Sequence, residues 1–311
     1  MDQASLGLIF CEVIKLYHNG LDSLDPQDMH FSDFSDWLSL TSDHRAELQK
    51  KQSEFWTETL KDVQPMYLLS STPSEEPLSD FTEIEATMDA TTLALCHSFM
   101  KEIWATPSEG FFAVYNILLY HYSSQETMVV GTTFTQRNTA QLANVVGPLT
   151  TFLPIKTTVD PNQTFKEYFT GFRVDLPKTL ENGDVAYEDI NSEILDPSRR
   201  PSSFRHSFSY DEMNMDAVLE VEMEGMEVKN FHTLSKTRDE NQELLLDIYG
   251  KTGRIILQFN NHIFSEEKAR KFLDTYITFV EALCRSPDSK MCDLSVFNPA
   301  KTEPETSETT S

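Results

Sequence analysis

Apolar and polar residues follow two rhythms along this chain, one helical and one extended. Leu6, Phe10, Val13 and Tyr17 share the spacing of one helix face, and Asn19-Gly20 supplies a stop signal behind them. A second helix is predicted over 43–60, with Leu48, Phe55, Trp56 and Leu60 on its packed side. The run Ser-Ser-Thr-Pro-Ser-Glu-Glu-Pro-Leu-Ser-Asp at 70–80 is the clearest internal linker. Beyond it the pattern alternates. A strand near 81–87 precedes helices near 90–104 and 108–122. Met128 to Phe134 is apolar and β-branched, as a buried strand requires, and Thr157-Thr158-Val159 closes another. Thr164 to Leu176 has a helical pattern, and Phe204 to Tyr210 an extended one. Segments 243–249 and 254–260 form a hairpin around Gly250-Lys251-Thr252-Gly253. Ser265 then caps a helix that carries Glu266 and Glu267 in its first turn and Ala269, Leu273, Tyr276, Val280 and Leu283 on its buried face. The expected fold is an α/β (α+β) sandwich, with the Thr/Ser/Glu-rich residues 299–311 as a disordered tail.

Composition narrows the partners more than the fold. A chain of 311 residues, 39% apolar, can bury one large core or two smaller ones. Its net charge of −25 argues against nucleic acid and against an anionic membrane, since both would repel it. The four cysteines, at 11, 96, 284 and 292, show no metal-ligand spacing. Three of them sit in apolar helical patterns, where a small buried thiol is the expected role. With no apolar run long enough for a bilayer and no basic leader, a cytoplasmic protein in a reducing compartment is expected.

Candidate chemistry is sparse. There is no Gly-x-Ser-x-Gly, and Ser5 lies where a helix opens, a place for capping. Asp184, Glu188 and Asp189 match no metal-binding loop, and no metal is expected. None of the eight histidines adjoins another.

Four ordered segments carry a resemblance. Phe31-Ser32-Asp33-Phe34-Ser35-Asp36-Trp37 resembles Tyr-x-Asp-Phe-Ala-Val-Trp. Val146-Gly147-Pro148-Leu149-Thr150-Thr151-Phe152-Leu153-Pro154 resembles Val-Gly-x-Phe-Val-Asn-Thr-Leu followed by Pro. Asn182-Gly183-Asp184-Val185-Ala186-Tyr187-Glu188 resembles His-Gln-Asp-Val-Pro-Phe-Glu. Asp196-Pro197-Ser198-Arg199-Arg200-Pro201 resembles Arg-Asp-x-Ser-Arg-Asn-Pro, with Leu195 in place of the first arginine. These are the motifs of condensation domains of nonribosomal peptide synthetases, including those fused to fungal polyketide synthases.

The resemblance implies a chloramphenicol-acetyltransferase-like fold. Residues 1–60 would belong to the end of a first lobe, and 61–298 to the second lobe. It also implies a His-His-x-x-x-Asp-Gly centre, in which Met1-Asp2 matches x-Asp, Gln3 replaces the glycine, and both histidines fall before residue 1. Such an imidazole suits the orientation or deprotonation of an acceptor amine. On this expectation the chain is truncated and inactive as it stands. Asp2 would pair structurally with Arg137, and Thr150, Thr151 and Asn182 are candidates for the substrate tunnel. No bound cofactor is implied. Substrates would arrive on phosphopantetheinyl carrier proteins, so carrier-protein domains or a synthase chain are the expected partners. The reaction would join an acyl thioester to an amine or hydroxyl. A noncatalytic docking module for a synthase or carrier is the alternative, and a stand-alone acyltransferase is third.

Overall fold

The structure, a computed structural model, describes residues 1–68, 81–185, 190, 205–212 and 242–297, without the side chains of residues 43 and 44. The linker at 70–80, residues 186–188 of the third motif, the Asp196–Pro201 motif and the tail lie outside the described residues.

Among the described residues, six strands form one mixed sheet: β1 (Phe81–Thr87), β2 (Thr127–Thr135), β3 (Thr150–Thr158), β4 (His206–Asp211), β5 (Leu244–Tyr249) and β6 (Arg254–Asn260). Their order is β1-β6-β5-β4-β2-β3. The central β2, β4 and β5 run parallel, and antiparallel partners close both edges. Along β5, residues Leu244, Leu246 and Ile248 are buried and their alternates half-buried, the period of a strand with one covered face. In β2, Met128 through Thr132 is buried without a break, as expected of a strand covered on both faces.

Helices α1 (Gln3–Asn19), α2 (Phe31–Leu40) and α3 (Ser42–Leu60) precede the sheet. Helices α4 (Ala90–Glu102), α5 (Pro107–Ser123), α6 (Phe165–Glu181) and α7 (Glu266–Arg285) pack on it and on one another. Ser265 caps α7, and all five residues expected on its inner face are buried. Helix α5 opens with a Thr106/Glu109 capping box and a proline in its first turn. Gly20 ends α1 at φ 79°, a left-handed conformation that glycine adopts without a Cβ clash.

Several local expectations are corrected. Helix α6 continues through Pro177 to Glu181, although proline cannot donate to the Arg173 carbonyl. Its last turn is held from outside: α3 donates from Gln52 Nε2 to Glu181 O (3.0 Å) and from Trp56 Nε1 to Asn182 O (2.8 Å). The packed face of α3 is Gln52, Trp56 and Leu60, whereas Leu48 is exposed. Phe31–Leu40, which carried no helical expectation, forms α2 with Asp33 Oδ2 accepting from His30 N at 2.7 Å. The Leu6, Phe10, Val13 and Tyr17 face of α1 is real as a stripe, but every member is at least 38% exposed. Cys11, on the same helix, is exposed too, whereas Cys96 and Cys284 are buried.

Candidate functional site

The start of α1 is fastened by one carboxylate. Asp2 occupies the N-cap in extended backbone, and its Oδ1 accepts from Ser5 N at 2.9 Å and Ser5 Oγ at 2.8 Å. The same group receives both ends of a guanidinium across the fold, Arg137 Nη1 to Oδ2 at 2.6 Å and Nη2 to Oδ1 at 2.9 Å. Leu149 N (2.8 Å) and Thr150 Oγ1 (3.1 Å) donate to Oδ2 as well. Arg137 Nη2 also reaches Ser5 Oγ and the Val145 carbonyl, each at 3.0 Å, and Gly147 N donates to Ser5 Oγ at 2.9 Å. The two charged side chains are 8% and 7% exposed.

Burial alone would raise the Asp2 pKa. Arg137, Ser5 and Leu149 outweigh it and hold the carboxyl well below its ordinary range. A carboxylate with its lone pairs so fully engaged accepts no further proton near neutrality. Its role is shape: it ties α1 to the 137–150 segment between β2 and β3. That segment also seats α2, because Phe34 packs with Leu142, Val145 and Leu149 in a small separate core.

A cavity of about 500 Å³ opens beside this tie. Asp2 and Gln3 border it from α1, Thr150 from β3, and Ser209 to Asp211 from the end of β4. Its floor is apolar, built from Phe112 on α5, Phe172 and Leu176 on α6, and Phe208 on β4. The structure therefore brings Asp2, Arg137 and Thr150 together. Thr151 follows Thr150 on β3, where successive side chains point to opposite faces, and does not line the cavity. Asn182 caps α6, with its Nδ2 donating to Lys178 O at 2.8 Å and its carbonyl bonded to Trp56. Sequence reasoning missed the floor and Ser209 to Asp211. Apolar residues at helical or strand spacing give no sign of whether they face a core or a cavity.

No histidine lines the cavity among the described residues. His206 lies at the opposite end of β4, 1% exposed, with its Nε2 at 3.6 Å from Glu243 Oε2. Burial first, then Arg205, pushes its pKa down to about 3, so it is a neutral structural imidazole. No group of three or more metal-ligating side chains occurs among the described residues. Asp184 is exposed, and Glu188 and Asp189 lie outside the described residues. No helix among the described residues is long and apolar enough to cross a membrane.

The layered sheet and helices are those of a chloramphenicol-acetyltransferase-like sandwich, here with a carboxylate-framed cavity at the strand ends. Within that class the family is specific: the condensation-domain model matches residues 1–304, and the chain belongs to this family. Gramicidin S synthase 2 of Brevibacillus brevis is 24% identical over 304 residues, which cover 96% of this chain and 7% of that protein. Surfactin synthase subunit 1 of Bacillus subtilis (strain 168) is 23% identical over 95% of this chain and 8% of its own length. The chain thus spans less than a tenth of these curated relatives. Among solved structures, a four-domain nonribosomal peptide synthetase bound to AMP and glycine superposes with a TM-score of 0.79 at 15% identity, over 95% of this chain and 24% of that one. The condensation domain of the Monacolin K polyketide synthase gives 0.76 at 16% identity, over 93% of this chain and 68% of that one. At these identities the structural likeness concerns the fold.

Proposed function

We propose that this chain frames and lines a condensation site, where a carrier-bound acyl thioester is joined to an amine or hydroxyl in secondary-metabolite assembly. The observation that carries this reading is the buried Asp2–Arg137 pair at the mouth of the cavity. It fixes the loop between β2 and β3 at the place where the family motif puts its structural Asp. In this reading Asp2 is a positioning residue. Its saturated carboxylate moves no proton, and the reacting amine would be oriented by an imidazole that the described cavity-lining residues do not include. We read the chain as a binding frame without turnover. Donor and acceptor arrive as phosphopantetheinyl thioesters on carrier proteins, with no resident cofactor.

A second reading, a noncatalytic docking module for a synthase or carrier, draws on the exposed apolar stripe of α1. One experiment addresses both. The full chain is incubated with a carrier protein bearing an aminoacyl-phosphopantetheine arm, with binding followed by NMR and amide formation by intact-protein mass spectrometry. The expected result is binding that perturbs residues around Thr150 and Ser209, is weakened by Arg137→Ala, and yields no amide. Binding confined to α1 would favour the docking module. Amide formation would refute the inactive-frame reading, and no binding at all would refute both.

A further inference from the structure

A second cavity, of about 440 Å³, opens on the arm and shares no described lining residue with the first. Part of its wall is α2. Phe34 is buried in the small core with Leu142, whereas Trp37, one turn further on, is 53% exposed. The two rings lie 6.0 Å apart between centroids and 27° from parallel, and both line the cavity. Trp37 is therefore not enclosed by its neighbours as the interior rings are. A half-exposed indole backed by a buried ring is a platform on which a further ring stacks.

The rest of the lining is mostly polar. Gln136, Asn138 and Gln141 bring side-chain amides, Asp184 a carboxylate and Arg45 a guanidinium. Arg45 is the informative group. It stands in the first turn of α3, where the helix dipole disfavours a cation, and among the described residues no ion pair engages it. Nothing in the local chemistry of α3 calls for a guanidinium here, but an anion in the cavity would. The backbone beside it is fixed: Gln136 N donates to Leu149 O at 2.6 Å, and Asn138 N to Gln136 O at 2.8 Å. These two residues flank Arg137, whose guanidinium holds Asp2.

We propose that this cavity is a second small-molecule site, built for a free aromatic amino acid. The ring stacks on Trp37, Arg45 takes the carboxylate and Asp184 takes the ammonium. The site lies apart from the condensation cavity and does not depend on that reading. A guanidinium meets a carboxylate through two parallel hydrogen bonds, a geometry that fixes orientation as well as charge. An aromatic acid lacking the amine would bring like charge to Asp184, and an aromatic amine lacking the acid would bring like charge to Arg45. A cavity of this size is within the range of small-molecule sites, which pair apolar walls with a few orienting polar groups. Occupation would join α2, the start of α3 and the segment that carries Arg137.

The test is calorimetry on the full chain with four probes: phenylalanine, 3-phenylpropionate, phenethylamine and alanine. Phenylalanine is expected to bind, and each of the others, lacking one charge or the ring, to bind about tenfold more weakly or worse. Trp37→Ala and Arg45→Gln should each weaken phenylalanine binding by about tenfold, with folding checked by circular dichroism. Bound phenylalanine should also slow hydrogen exchange in α2 and 136–142. Binding that neither substitution changes would put the ligand elsewhere and overturn the site. Phenylpropionate binding as tightly as phenylalanine would overturn the amino-acid assignment. Absence of phenylalanine binding at millimolar concentration would overturn the proposal outright, and carrier binding around Thr150 and Ser209 would still be decided by its own experiment.

Discussion

Two regions border the same cavity and are held by different physics. The sandwich is apolar: Phe111 and Tyr115 on α5 and Tyr276 and Phe279 on α7 have no exposed surface. The arm formed by α1, α2 and the 137–149 segment has a core of four buried residues, while Leu6, Phe10, Val13 and Tyr17 remain in contact with water. What holds the arm is directional, a single carboxylate with its guanidinium, two backbone N–H groups and two hydroxyls. Apolar burial adds over many contacts and fails gradually. A polar tie of this kind is decided by a few atoms and by one ionisation.

The largest expected effect separates the two regions. Phe279→Ala removes a fully buried ring from α7 and should cost about 3–5 kcal/mol, lowering the urea midpoint of the whole chain. Asp2→Asn leaves Arg137 buried without its counter-charge, at a cost of about 3 kcal/mol that falls on the arm. Hydrogen exchange should then quicken roughly a hundredfold in α1 and 137–149 while α5 and α7 keep their protection. Uniform loss of protection in Asp2→Asn would show that the arm is part of the sandwich's cooperative unit.

Acid should draw the same line at two different pH values. The folded pKa of Asp2 is below its ordinary 3.8, so the unfolded arm binds the proton more readily. The stability contributed by Asp2 is complete above pH 3.8 and is lost as pH falls further. His206 is depressed as well, from 6.5 to about 3, so its contribution to the sandwich is complete above pH 6.5 and declines through that interval. Resistance to urea should weaken from pH 6.5 downward, with selective opening of α1 setting in only below 3.8. In Asp2→Asn that second, local step should be absent.

What the sequence made legible was local. Caps and periodicity placed α7 and the β5–β6 hairpin, because Ser265 and the turn at Gly250–Gly253 act within a few residues of themselves. The Asp2–Arg137 pair spans 135 positions, and only a family motif could have connected its halves. Periodicity found the α1 stripe but not that it faces water. It proposed Leu48 for the packed side of α3, where Gln52 takes the inner position by donating to Glu181 O. Pro177 misled for a related reason. Local chemistry ends a helix there, and two hydrogen bonds from α3, more than a hundred positions away, hold it open to Glu181.

The smallest expected effect probes whether shape alone, with every charge intact, can loosen the arm. A Cβ added at Gly147 would lie 2.3 Å from Phe31 Cδ2, 2.6 Å from its Cγ and 3.0 Å from its Cβ. Turning the ring relieves the first contact but not the last, so α2 itself must shift. Overpacking of this kind costs about 1–2 kcal/mol. Gly147 N still donates to Ser5 Oγ through backbone, and Asp2 and Arg137 lose nothing. Gly147→Ala should therefore quicken exchange in α2 while leaving the pH at which α1 opens unchanged. If that pH moved as well, the apolar seat of α2 and the ionic tie of α1 would be one coupled structure, and the arm would owe its hold to packing as much as to charge.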